Sequence, residues 1–235
     1  MLTESLLTLF RENGADLTGV GDMRGIDGCP YPVGIAVAVH LPAHIVRDLQ
    51  QAPTEEYLKA YKTLNDTLNQ IVLAGEKFLI QNGYKAYAQT TDRVKTSGGA
   101  KWNAVLPHKT VATRAGLGWI GKNNLLVTDQ YGPAVRLSSL LTDAPLDCSK
   151  AIDSSRCGGC TVCRDACPGG AIHRKLWYPG LPREEIVDTE LCYQTQLRVM
   201  QAHTGIETDL CGKCFAVCPY TRKYLRGTVS WQKES

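Results

Sequence analysis

Apolar residues Leu2, Leu6, Leu7 and Phe10 recur at helical spacing and the run stops near Asn13-Gly14, which predicts an amphipathic helix closed by a glycine. Gly19 to Pro32 is rich in glycine and turn residues and reads as irregular backbone. Val33 to His40 is a continuous apolar run of strand length, stopped by Pro42. Thr54, followed by Glu55, Glu56 and a helical pattern reaching Ile80, predicts a capped helix of several turns that ends at Asn82-Gly83. Tyr84 to Gln89 alternates as a strand, residues 107–115 suggest a short helix, and Asn124 to Thr128 with Ala134 to Leu141 reads as a strand pair turning at Tyr131-Gly132-Pro133. Strands alternating with helices imply a layered α/β domain over residues 1–146, with a mixed sheet. From Cys148 to Tyr224 the apolar periodicity fades and cysteines crowd in, so residues 147–235 are expected to fold around metal.

Composition narrows the class without choosing a function. The 235 residues, 43% of them apolar, suffice for one large domain or two modest ones. No stretch approaches the roughly 20 apolar residues that span a bilayer. With no secretory segment before residue 20, a cytoplasmic protein without membrane contact is expected. The formal charge of +3 counts cysteines as neutral; two oxidised [4Fe-4S] cores with their thiolates, at about −2 each, would bring the total to about −1. Charge therefore names no partner, and the basic tail Arg222, Lys223, Arg226 and Lys233 reads as a solvated surface rather than a phosphate site.

The cysteines carry the chemistry. Cys157-x2-Cys160-x2-Cys163-x3-Cys167-Pro168 has the bacterial two-cluster ferredoxin spacing, in which the fourth cysteine ligates the other cluster. Cys211-x2-Cys214-x3-Cys218-Pro219 is one cysteine short, and Cys192, between the runs, supplies the missing thiolate. The expected ligands are Cys157, Cys160, Cys163 and Cys218 for one [4Fe-4S] cluster, and Cys167, Cys192, Cys211 and Cys214 for the other. Zinc uses separated pairs of Cys or Cys and His and leaves too many thiolates here, and disulfides need an oxidising compartment. The fold expected is thus α+β or α/β, a layered α/β domain followed by a bacterial-ferredoxin-like two-cluster domain.

Ahead of the cysteines stands Ala115-Gly116-Leu117-Gly118-Trp119-Ile120-Gly121-Lys122-Asn123-Asn124. Its glycines admit a close approach to something flat or anionic, but an ordinary tight turn explains the motif as well, since it is neither a dinucleotide fingerprint nor a P-loop. Together with Leu137 to Asp143, Cys157 to Pro168 with Gly169-Gly170-Ala171-Ile172, Val187-Asp188 with Cys192, and Cys211 to Pro219, this run resembles the epoxyqueuosine reductase family, specifically from about residue 104 to 221. The resemblance implies a cobalamin-dependent, two-[4Fe-4S] cytoplasmic enzyme related to reductive dehalogenases. It implies a corrinoid against the α/β domain, with Gly116, Leu117, Gly118, Trp119, Gly121 and Lys122 forming part of its pocket.

Two features differ from that family. Its proton-donating aspartate lies about a dozen residues before the glycine motif, where this chain reads Lys101-Trp102-Asn103-Ala104-Val105-Leu106-Pro107-His108. His108, which ordinarily titrates near neutrality, is the acid available there, against the reading of a structural histidine; Asp92 lies further upstream. Members acting on tRNA commonly continue into a helical-repeat domain, whereas this sequence ends at Ser235, so tRNA is not the expected substrate. Of the cysteines left over, Cys29 is the candidate redox or cobalt thiol and Cys148 a weaker one. Trp119, Trp102 and Tyr131 pack a macrocycle or fill a core. The function expected is an oxidoreductase in which flavodoxin or ferredoxin feeds the clusters and the clusters reduce a corrinoid acting on a small molecule. The alternatives are a non-catalytic cluster-bearing carrier, a corrinoid-handling protein, or a flavin in the α/β domain.

Overall fold

The computed structural model describes residues 1–95 and 104–231, and the side chains of residues 1–95 and 104–227. Lys101, Trp102 and Asn103 therefore lie outside the described residues. In chain order the elements are α1 (Leu2–Glu12), β1 (Leu17–Asp22), β2 (Val33–His40), α2 (Ala43–Asp48), α3 (Glu55–Gln81), β3 (Ala86–Ala88), α4 (His108–Arg114), β4 (Trp119–Ile120), β5 (Leu126–Val127), β6 (Val135–Thr142), α5 (Val162–Asp165), a 3-10 turn (Arg183–Glu185), α6 (Thr189–Thr204), α7 (Lys213–Ala216) and α8 (Pro219–Trp231). The chain forms two compact units, each drawn from three separate stretches of sequence. One takes Met1–Val39, Thr63–Gly118 and Arg136–Ile152, and the other His40–Lys62, Trp119–Val135 and Asp153–Ser235.

The first unit is a four-stranded sheet in the order β1-β2-β6-β3, with β1 antiparallel to β2 and β3 antiparallel to β6. On one face Val33, Ile35, Val37 and Val39 of β2 join Leu6 and Phe10 of α1 and Leu68, Ile71, Val72 and Leu79 of α3. The even positions of β2 face the other way by strand alternation, and there Gly34 meets Met23 and Val111 of α4. A strand covered on both faces is apolar throughout, as β2 is. Truncating Phe10, which is fully buried, would cost about 3–5 kcal/mol.

Strand β1 corrects the expectation of irregular backbone after Gly19. Gly19 and Gly21 are there because α4 lies against the strand: a Cβ on Gly19 would stand 2.5 Å from the Ala115 carbonyl oxygen, and one on Gly21 2.6 Å from the Arg114 carbonyl carbon. The helix expected from Thr54 forms as predicted, with the Thr54 hydroxyl accepting from the Tyr57 N–H. The expected strand pair turning at 131–133 does not form. Leu126–Val127 pairs instead with Trp119–Ile120, while residues 135–142 belong to the four-stranded sheet.

A small cluster of Ala171, Ile172 and Val187 forms where an isolated antiparallel bridge joins Ile172 to Val187. Helix α6 starts at Asp188, whose carboxylate accepts from the Leu191 N–H at 2.9 Å, and ends at the left-handed Gly205. Among the described residues no helix is long and apolar enough to cross a membrane.

Candidate functional site

In the second unit Cys157, Cys160, Cys163 and Cys218 line one cavity of about 150 Å³ together with Lys122, Asn123, Val127, Arg156, Pro219 and Tyr220. Burial pushes the Cys163 thiol up to about 11, and repulsion from Cys157, Cys218 and Cys160 adds to it. Cys167, Cys192, Cys211 and Cys214 form a second group: burial first, then Cys211, Cys192, Cys163 and Cys167, hold the Cys214 thiol well above its ordinary value. Cys163, Cys167, Cys192 and Cys214 all pack against the Ala171, Ile172 and Val187 cluster, which brings the two groups side by side.

Local structure positions these thiols. Cys218 immediately precedes α8, Pro219 takes the helix position whose N–H has no partner to lose, and the N–H groups of Tyr220 and Thr221 point to the Cys218 sulfur and favour its thiolate. Cys192 sits in the first turns of α6, and Gln196, one turn on, donates to its sulfur at 3.4 Å. Gly169, just past Cys167, lets that loop meet α6, since a Cβ there would lie 2.0 Å from the Thr195 hydroxyl.

The donor set fits iron–sulfur cores. Four thiolates brought together repel one another and are held by a cationic core between them, and each group offers the four cysteines that a [4Fe-4S] cluster takes. Among the described residues no three His, Cys, Asp or Glu side chains converge closely enough to hold a single metal ion.

The glycine motif divides between the units. Gly116 is the left-handed residue (φ 73°) that closes α4: its N–H donates to the Thr113 carbonyl and the Leu117 N–H to the Ala112 carbonyl, the Schellman pattern. A Cβ on it would approach the Lys150 carbonyl to 2.9 Å, and the Leu117 side chain lies over Gly19. Gly118 leads out of this cap. In the second unit Trp119 is fully buried, its ring 4.9 Å from Tyr220 edge to face and 5.1 Å beneath the Arg156 guanidinium. Gly121, Lys122, Asn123 and Asn124 form the tip between β4 and β5, with the Asn124 N–H donating to the Gly121 carbonyl and Asn124 at φ 59°. Lys122 is buried, and its ammonium donates to the carbonyls of Gly158 at 2.6 Å and Cys160 at 2.9 Å. These bonds account for Gly116 as a cap, Trp119 as packing and Lys122 as a clamp on the first cysteine loop.

His108 lies in the first unit. Gln89 donates through Nε2 to the Ser139 hydroxyl at 2.6 Å, and that hydroxyl lies 2.8 Å from His108 Nδ1. The Ser139 hydroxyl, with one proton and two lone pairs, can bond Nδ1 in either imidazole tautomer. Burial, then the Arg136 charge, lowers the His108 pKa to about 4. This corrects the expectation of an acid titrating near neutrality: His108 is neutral at pH 7 and offers an N–H, not an imidazolium. Gln89 lines a cavity of about 370 Å³ with Tyr31, Tyr87, Arg93, Lys95 and Leu106, so His108 reaches that cavity through a hydrogen-bond chain. Cys29, between the cavity-lining Gly28 and Pro30, is half-buried, its thiol bonded to the Tyr31 carbonyl at 3.3 Å and kept protonated by burial. Cys148 is exposed, and Asp92 is an exposed carboxylate accepting from Thr90. Asn123 and Arg156 enter the cysteine cavity without having been singled out from sequence; Asn123 stood inside the glycine motif and Arg156 directly before Cys157.

Comparison with known proteins agrees with this geometry. The 4Fe-4S double cluster binding domain matches residues 156–221. The epoxyqueuosine reductase of Pseudomonas aeruginosa is 33% identical over 128 residues, 51% of this chain, and the chain spans only 33% of that relative's length. A reductive dehalogenase whose structure is described as suggesting a mechanism for B12-dependent dehalogenation superposes with a TM-score of 0.73 at 18% identity, over 98% of this chain and 34% of that one. An epoxyqueuosine reductase with a tRNA-Tyr epoxyqueuosine-modified stem loop does so with a TM-score of 0.58 at 20% identity, over 94% of this chain and 65% of that one. The structures share this fold, and the chain is similar in sequence to epoxyqueuosine reductases, as its motifs imply.

Proposed function

We propose that the protein is an iron–sulfur reductase that takes electrons from a flavodoxin or ferredoxin through two [4Fe-4S] clusters to a corrinoid, for reduction of a substrate whose class is unassigned. The observation that carries this reading is the gathering of eight cysteines into two neighbouring groups, the first joining Cys218 to Cys157, Cys160 and Cys163 and the second joining Cys167 and Cys192 to Cys211 and Cys214. When bound, clusters supply one-electron transfer and a corrinoid supplies a low-valent metal. The chain itself supplies the path. It buries the thiols in a small apolar nest, clamps the Cys157 loop through Lys122, and aims the start of α8 at Cys218.

The corrinoid enters from the names of relatives, and no side chain is assigned to it. The expectation against tRNA is not carried forward. It rested on where the sequence ends and on the carboxylate missing near His108, and a relative of the same fold is described with a tRNA stem loop. A modified tRNA nucleoside therefore stands beside small molecules among the substrates to assay. A second reading, a carrier without turnover, is favoured by one feature: burial holds His108, the acid that the resemblance left available, neutral at pH 7.

Anaerobic purification followed by reconstitution with iron, sulfide and cobalamin tests the proposal. About eight irons per chain and corrinoid absorption that stays through gel filtration are expected. About eight irons without retained corrinoid refutes the corrinoid part, and about four irons refutes the pairing of the cysteines.

A further inference from the structure

Asn123 is 7% exposed and lines the cavity of Cys157, Cys160, Cys163 and Cys218. Its Oδ1 accepts from the Leu125 N–H at 3.3 Å, which assigns the amide orientation, and its Nδ2 is buried with no partner. A buried amide N–H left unbonded costs about 1–3 kcal/mol, so an unpartnered one at a cavity wall points to an acceptor that belongs in the cavity. The neighbouring cations are occupied elsewhere: Lys122 on two carbonyls and Arg156 on Asp129 at 3.3 Å. The turn brings the amide to the sulfurs, for a Cβ built on Gly121 would stand 2.7 Å from Asn123 Oδ1 and 3.6 Å from Cys157 Sγ.

We propose that Asn123 Nδ2 donates a hydrogen bond to a sulfur of the cluster held by these four cysteines and raises that cluster's reduction potential. The inference rests on the reading of the cysteines as cluster ligands. Reduction adds one electron and one negative charge to the cluster, with no bond made or broken in the protein. An N–H dipole directed at sulfur therefore stabilises the reduced form more than the oxidised one. Asn123 is a positioning and tuning residue, and it makes the two clusters unequal on the electron path.

The test is a redox titration of the reconstituted protein followed by EPR, with the two signals assigned by the loss of one in Cys192→Ala. Asn123→Leu keeps the size and removes the donor, and should shift the reduction equilibrium of the Cys157 cluster about tenfold toward the oxidised form, 59 mV for one electron. Asn123→Asp keeps the acceptor for Leu125 but sets a carboxylate oxygen where the donor was, and should shift it further in the same direction. The other cluster should keep its potential. In the unmutated protein labelled with 15N-asparagine, pulsed EPR of the reduced state should show a 15N coupling at the Cys157 cluster. That measurement needs no variant to fold. Unchanged potentials in variants carrying full iron, a shift confined to the other cluster, or no 15N coupling each overturn the inference while leaving the cluster reading intact. A parent protein that takes up no iron overturns both.

Discussion

Replacing Lys122 with methionine removes the clamp on the loop between Cys157 and Cys160. The ammonium makes two bonds, to the carbonyls of Gly158 and Cys160. Gly158 is exposed and its carbonyl can take water, so its loss costs about 1 kcal/mol; the half-buried Cys160 carbonyl loses about 1–2 kcal/mol. The sum, about 2–3 kcal/mol, is roughly 30- to 150-fold in the population of loops held in the ligating shape, at about 1.4 kcal/mol per tenfold. Methionine fills most of the volume, so the β4–β5 tip should remain folded. The assay is the rate of iron loss to a chelator in anaerobic buffer, read by absorption, with each cluster's EPR signal followed separately. The Cys157 cluster should be lost tens of times faster than in the parent, and the cluster held by Cys192 at an unchanged rate. Equal rates in parent and variant would refute the clamp, and equal acceleration of both clusters would mean that the substitution damages the whole unit.

Substituting Cys192 with alanine should halve the iron from about eight to about four per chain, whereas Cys148→Ala should leave iron and sulfide content unchanged. Gly116→Val forces a β-branched residue into a left-handed cap and a Cβ to within 2.9 Å of the Lys150 carbonyl, so unfolding measured by denaturant should show a loss of more than about 1–2 kcal/mol. The His108 pKa falls from 6.5 to about 4 in the folded state. The folded protein then binds fewer protons than the unfolded chain between those values, so this contribution is complete above pH 6.5 and is lost as pH falls toward 4. Between pH 7 and 5 the loss is about 2 kcal/mol for the parent, and His108→Gln should show a correspondingly flatter stability profile; identical slopes would remove the explanation.

The chain's own pattern determined the features that rest on local chemistry. The strand at Val33–His40 was legible because both its faces are covered, and the helix from Thr54 because its cap and period are local. The eight cysteines were legible as candidate cluster ligands because iron–sulfur chemistry demands thiolates at close intervals. Features that depend on what lies across space were not legible. Gly19 and Gly21 look like turn residues and form a strand, because α4 presses so close that no Cβ fits. Leu126–Val127 pairs backward with Trp119–Ile120, since two residues carry no signal of which neighbour they will find. His108 looks like a residue poised near neutrality, and only burial beside Arg136 makes it neutral. The motif from Gly116 to Lys122 reads as a tight turn or, by the family resemblance, as part of a corrinoid pocket. What the tertiary structure adds is Gly116 at a helix end through a left-handed backbone, and Lys122 and Asn123 at the cysteine cavity through a hairpin tip. Spacing along the chain named the candidate ligands, because thiolate chemistry is local; packing across space decided which polar groups surround them.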